Sequence, residues 1–393
     1  MLDHFENEQP IFAYIIHSFE SALLKFKHQF FIMQYPNFLT TPVFDLHTKR
    51  TLEWLELSIQ KGGGGSAADF HLLKGWGFPY PETTGYIIET LFDYADYYND
   101  IKWKNLALKC ANWLCDVQRA DGAFPGGPGL SGAPLVFDTG QILFGLTRSF
   151  LATSEIKYQN AAYRAVEWLL KNIEPDGSWQ RHAYVPGYVP AYYARVVWAV
   201  LYANTILQNK HVTDLMHQAL LYHINKILSN FFVENQSFEP KKMAYTHTIA
   251  YTLRGILEST QILQDESSRQ KALSCIDQIV SLWQQHGRLA GRYDAHWVGD
   301  YSFRCATGEA QISLLLGRAY HITKNQTYLN IGLQIFTQVV ACQWVLPVAA
   351  LRGAIPGSVP LWGPYQRLGF PNWAAKFYLD AYLLFKKCAE ERA

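Results

Sequence analysis

Four side chains able to move a proton, Glu82, Asp138, His247 and Glu309, stand at comparable places in a recurring pattern of this 393-residue chain. Glycoside hydrolysis needs two carboxyls, one holding its proton and one ionised, about 5 to 9.5 Å apart. Glu82, in Tyr80-Pro81-Glu82-Thr83-Thr84-Gly85, and Asp138, in Asp138-Thr139-Gly140, are the first such pair, with Glu309 and Asp294 as alternates. Both also fit as acids that cap helix N-termini, Asp138 the more so because Thr139 follows it. His247, flanked by Thr246 and Thr248, offers different chemistry. It can take the proton beside a sugar carboxylate, the step shared by lyases and C5-epimerases, with Tyr251 or Tyr293 returning it. It fits equally as a buried histidine hydrogen-bonded across the core.

The guanidinium forks of Arg195, Arg254 and Arg304 suit a sugar carboxylate, and each also fits as an ion-pair partner of a nearby acid. Tyr80, Tyr192, Tyr293, Trp362, Tyr365 and Trp373 complete the expected substrate-binding set. Trp76, Phe78, Tyr184, Tyr188 and Trp297 lie in Gly/Pro-rich loops, where rings can stack on sugar faces. No metal or nucleotide cofactor is indicated: the six cysteines form no CxxC pair with histidine spacing. Gly62-Gly63-Gly64-Gly65-Ser66 lacks the Gly-Lys-Ser/Thr of a phosphate loop and reads as a flexible connection.

These residues need a scaffold that gathers them, and the scaffold is a repeat. Trp113, Gly122 and Phe124 share their spacing with Trp168, Gly177 and Trp179, one copy lying 55 residues after the other. Each copy reads as an outer helix with a buried Trp, ended by an Asp-Gly turn after which an aromatic folds back on the helix end. Weaker copies at Trp54, Phe231-Phe232, Trp283 and Gln343-Trp344 bring the number to six. A period of this length predicts stacked helical hairpins, and six can close into an all-α (α/α)6 toroid over residues 37–393. Inner helices begin near Glu82, Asp138, Tyr192, His247, Glu309 and Asn372, so one rim collects the candidate residues. Three of these starts carry Thr-Gly, with Thr as N-cap and Gly allowing close backbone approach. Residues 1–36 read as an amphipathic helical extension.

Trp113-Leu114-(3)-Gln118-(3)-Gly122-Ala123-Phe124 resembles the repeat of squalene and terpene cyclases, but the Asp-x-Asp-Asp and Asp-Asp-x-x-Asp acid motifs of those enzymes are missing. Tyr80-Pro81-Glu82-Thr83-Thr84-Gly85-Tyr86, Thr246-His247-Thr248-Ile249-Ala250-Tyr251 and Pro371-Asn372-Trp373-Ala374-Ala375-Lys376-Phe377 resemble uncharacterised bacterial proteins of surface-polysaccharide gene clusters. That resemblance implies a glycan context and transfers no catalytic residue. The toroid itself is similar to glycoside hydrolases, uronyl hydrolases, polysaccharide lyases and sugar epimerases alike.

Composition narrows the rest. Hydrophobic residues make up 49% and charged ones 17%, enough for a large core. Thirty-four Lys and Arg against 33 Asp and Glu supply no basic excess for nucleic acid or an anionic membrane. The acidic N-terminus lacks a signal-peptide pattern and no span is apolar enough for a membrane, so the cytoplasm is expected. The reading is therefore a glycan enzyme on an acidic oligosaccharide or polysaccharide, of glycoside-hydrolase type. The alternatives are a lyase or epimerase using His247, a terpene-cyclase-like protein, and a non-catalytic binding toroid.

Overall fold

A computed structural model describes residues 42–345 and 347–391; the extension expected at residues 1–36 lies outside the described residues. An outer ring is formed by α1 (Pro42–Lys61), α3 (Ile101–Val117), α5 (Ile156–Lys171), α7 (Lys210–Ile224), α9 (Glu266–His286) and α11 (Gln326–Val340). It encloses an inner ring of α2 (Pro81–Tyr98), α4 (Val136–Thr153), α6 (Ala194–Leu207), α8 (Thr246–Leu263), α10 (Ala306–Thr323) and α12 (Asn372–Glu390). Each inner helix packs on the next and α12 returns to α2, which closes the (α/α)6 toroid. Among the described residues, strands of two or three residues occur only in the loops before inner helices. One of them, Asp69–His71, pairs antiparallel with Gly369–Pro371 and so ties the first unit to the sixth. Among the described residues no helix is long and apolar enough to cross a membrane.

The two ends of the toroid are built differently. Inner helices pass to outer helices through two-residue turns, in which Asn99, Ser154, Gln208, Gln264 and Lys324 take positive φ. The residue after each is the next N-cap, and Asp100, Asn209, Asp265 and Asn325 accept a backbone N–H from the helix they start. Outer helices pass to inner helices through long loops at the other end. There the Asp-Gly turns form as expected: Asp121 and Asp176 accept the N–H of Ala123 and Ser178, and Gly122 and Gly177 have φ of +93° and +88°. Trp179 folds back and donates to the Leu169 carbonyl at 2.9 Å.

The turn glycines also touch the next outer helix. A methyl group on Gly122 would collide with the Arg164 carbonyl of α5, one on Gly177 with Ala219 of α7, and one on Gly353 with the Arg50 carbonyl of α1. Gln118 donates to the Ala161 carbonyl of α5, and Gln343 does the same to His47 of α1, so the sixth unit uses this link to close the ring. Trp54, Trp168 and Trp283 are buried as expected, whereas Trp113 is only partly so. Its ring lies on Gly64 and Gly65, where any Cβ would strike it. That contact corrects the reading of the glycine run as a flexible connection: the run is a packed seat for an indole.

The Thr-Gly starts divide into one expectation met and one not. Cβ atoms at Gly85 and Gly308 would approach Ile142 Cα and His247 N to 2.5 Å, so glycine does let inner helices pack backbone to backbone. The threonines are not N-caps. Thr84 instead donates to the Tyr80 carbonyl and accepts the Ser66 N–H, and Thr139 accepts the Phe124 N–H, anchoring the incoming loops.

Candidate active site

The long loops and the first turns of the inner helices enclose a cavity of about 380 Å³. Glu82, Asp138 and His247 line it, joined by Tyr80, Tyr192, Tyr365 and Trp373 from the expected binding set. Tyr86, Phe137, Tyr193, Phe238, Tyr245, Tyr251 and the loop ring Tyr184 complete a largely aromatic wall. Tyr86 and Tyr251 stand one helical turn beyond Glu82 and His247, so helical spacing marks their direction. Phe238 and Tyr245 enter from a loop, where no periodicity points.

Neither carboxylate is an N-cap: Tyr80 and Leu135 occupy those positions, and Glu82 and Asp138 follow in the first turn, both buried. Asp138 accepts the Gly127 N–H at 2.7 Å. The Tyr80 hydroxyl stands beside both carboxyls and lowers the proton affinity of each. Burial, which penalises the charged form, pushes Glu82 up to about 8, and the charge of Asp138 adds to that shift. Asp138 is pushed by burial to about 6, held lower by the Gly127 N–H and Tyr80. Of the two, only Asp138 accepts a backbone N–H that favours its charge, so Glu82 is the carboxyl that more readily keeps a proton.

His247 is buried, and burial pushes it down to about 3, so the imidazole is neutral. Its Nδ1 lies 2.6 Å from the Gln311 amide nitrogen, and the ring packs against Tyr251 and Tyr365 at centroid distances of 4.3 and 5.1 Å. An amide donating to Nδ1 leaves the proton on Nε2.

Six of the expected residues lie elsewhere. Arg304 donates Nε to Glu309 at 2.8 Å, and its Nη2 holds the second oxygen, in an ion pair whose acid is buried and whose arginine is half-buried outside the cavity lining. Tyr293 is core, its hydroxyl accepting the Ala290 N–H. Trp362 is 53% exposed on its loop and does not line the cavity. Arg195 and Arg254 line a second cavity of about 370 Å³ further along the inner helices, with Glu89, Asp93, Arg318, Lys376 and Asp380. Arg254 is paired there with Glu258 at 3.1 Å. No lysine or arginine lines the first cavity among the described residues.

No family model and no curated protein matches the sequence. Solved structures do match. An unsaturated glucuronyl hydrolase specific for heparin has 15% identity and a TM-score of 0.67, over 88% of this chain and 97% of that one. The unsaturated glucuronyl hydrolase of Bacillus sp. GL1, responsible for the degradation of glycosaminoglycan, has 11% identity and a TM-score of 0.67, over 86% and 95%. Cellobiose 2-epimerase from Bacillus thermoamylovorans has 13% identity and a TM-score of 0.66, over 87% and 99%. At these identities the likeness is one of fold.

Proposed function

We propose that this chain is a carbohydrate-active enzyme of glycoside-hydrolase type, with Glu82 as proton donor and Asp138 as base. The observation that carries the reading is two buried carboxyls facing one cavity, of which only Asp138 accepts a backbone N–H that favours its charge, a difference that separates base from acid. Glu82 gives its proton to the leaving glycosidic oxygen as that bond to the anomeric carbon breaks. Asp138 takes a proton from the water whose oxygen forms the new bond. Tyr80, which stands beside both carboxyls, offers the path by which the proton returns to Glu82.

The glucuronyl hydrolases and the sugar epimerase among the structural neighbours support a sugar substrate and make uronyl oligosaccharides the first to test. The arginines expected to hold an acid group lie outside the cavity, so in this reading tyrosine hydroxyls and the His247 Nε2–H meet the polar groups of the sugar. A lyase or epimerase mechanism would make His247 the base, and its lowered proton affinity makes it a weak one.

The test is incubation with neutral and uronyl oligosaccharides, followed by mass, ultraviolet absorbance and deuterium uptake. Gain of water marks hydrolysis, a new double bond elimination, and deuterium uptake without cleavage epimerisation. Glu82→Gln should lower turnover at least about 100-fold while substrate affinity stays within a few fold. Full activity in Glu82→Gln would end the acid assignment.

A further inference from the structure

Arg195 is a long cationic side chain only 2% exposed, and it faces away from the first cavity. Its guanidinium carbon lies 5.0 to 5.7 Å from the centroids of five rings, Tyr86, Phe144, Trp198, Tyr251 and Phe377. Nε donates to Gln141 Oε1 at 2.5 Å, and no ion pair holds the group among the described residues, although Glu89 of the second cavity also feels its charge. Two of the five rings, Tyr86 and Tyr251, also line the first cavity, so the cage is the floor beneath the carboxyl pair. Their hydroxyls lie 3.4 Å apart, and that of Tyr86 lowers the proton affinity of Glu82. A charge clasped by ring faces is stabilised by their quadrupoles, and at this depth its field is weakly screened.

We infer that Arg195 is a positioning residue whose caged positive charge, set under the floor of the cavity, balances the negative charge of the Glu82–Asp138 pair without touching ligand. The inference rests on the proposed roles of that pair. The other groups around Glu82 do not take this part. Tyr80 and Tyr86 on its own helix, Tyr192 and Tyr365 from neighbouring segments, and Tyr251 on α8 are neutral, their hydroxyls all raised by burial. Asp138 on α4 is the opposing acid, and His247 on α8 is neutral. Lys376 on α12, over the Tyr86 ring at 5.6 Å, is neutralised by Asp380. Arg195 also lowers the proton affinity of Glu82, in the direction the cage predicts.

The experiment follows carboxyl titration by NMR in the full chain with labelled Glu and Asp and no substrate, Glu82→Gln giving the assignment. Arg195→Gln should move the Glu82 titration upward by about one pH unit, the size of one partly screened charge. Arg195→Lys, which keeps the charge, should move it much less, whereas a merely structural role would disturb both variants alike. If Arg195→Gln does not fold, Gln141→Glu places a carboxylate on the guanidinium with the cage intact, and the same upward movement is expected. Glu82 titrating as in the wild type in a folded Arg195→Gln or Gln141→Glu protein overturns the inference. Because no turnover is measured, failure of the hydrolase reading, seen as full activity in Glu82→Gln, remains a separate result.

Discussion

Glu82 and Asp138 sit in the first turns of adjacent inner helices, and the groups around them set their chemistry apart. Asp138 meets a backbone N–H that favours its charge, whereas Glu82 faces Asp138 itself, so Glu82 more readily keeps a proton. The sequence marks both residues as acids at inner-helix starts, but burial and the Gly127 contact come from a loop folded back over them. His247 shows the reverse case, because its place was legible and its state was not. With Nδ1 facing an amide and rings on its flanks, its imidazole should stay neutral from pH 5 to 9 in a proton NMR titration. A midpoint near 6.5 would remove the argument against it as a lyase or epimerase base.

At the scale of elements, the turns at Gly122, Gly177 and Gly353 meet two demands at once: positive φ, and no side chain where the next outer helix passes. Gly122 faces both, whereas Gly187 has φ of +77° and open space around it. Gly122→Ala should therefore lower stability by about 1 to 3 kcal/mol through the collision, on top of strain of about 1 kcal/mol that Gly187→Ala alone would show. Comparing the two variants by urea denaturation checks this, and equal losses would mean that packing on α5 contributes nothing. The Trp-to-Gly spacing revealed the turns because local backbone chemistry repeats in sequence. The contact of Trp113 with the glycine run was not legible, since it joins residues nearly 50 positions apart without periodicity.

Across the whole molecule, buried carboxyls oppose buried histidines. Glu82, Asp138 and Glu89 are raised to about 8, 6 and 7, so between the unfolded and folded values the folded chain binds more protons and stability falls as pH rises. His223 and His247, lowered to about 3, act oppositely below pH 6.5, where unfolding lets them charge. Above that pH the histidine contribution is gone and the carboxyl contribution leads. Stability should therefore fall between pH 6.5 and 8.5, by roughly 2 kcal/mol from Glu82 alone. Thermal unfolding across this range should show the fall, and Glu82→Gln should flatten it. A melting temperature that rises steadily to pH 8.5 would contradict the assigned burial.

The sequence alone determined the six-unit toroid, the rim on which inner helices begin, and Glu82, Asp138 and His247 as candidates there, because a repeat states its geometry in spacing. It also placed the arginines by helix, but not by depth. Arg195 starts an inner helix near the cavity yet sends its guanidinium below the floor, and Arg304 turns to Glu309. Only the tertiary structure decided those directions. A long side chain reaches either side of a ring of packed helices, and the competition between ion pairs, ring faces and water that selects the side is settled by neighbours distant in the chain.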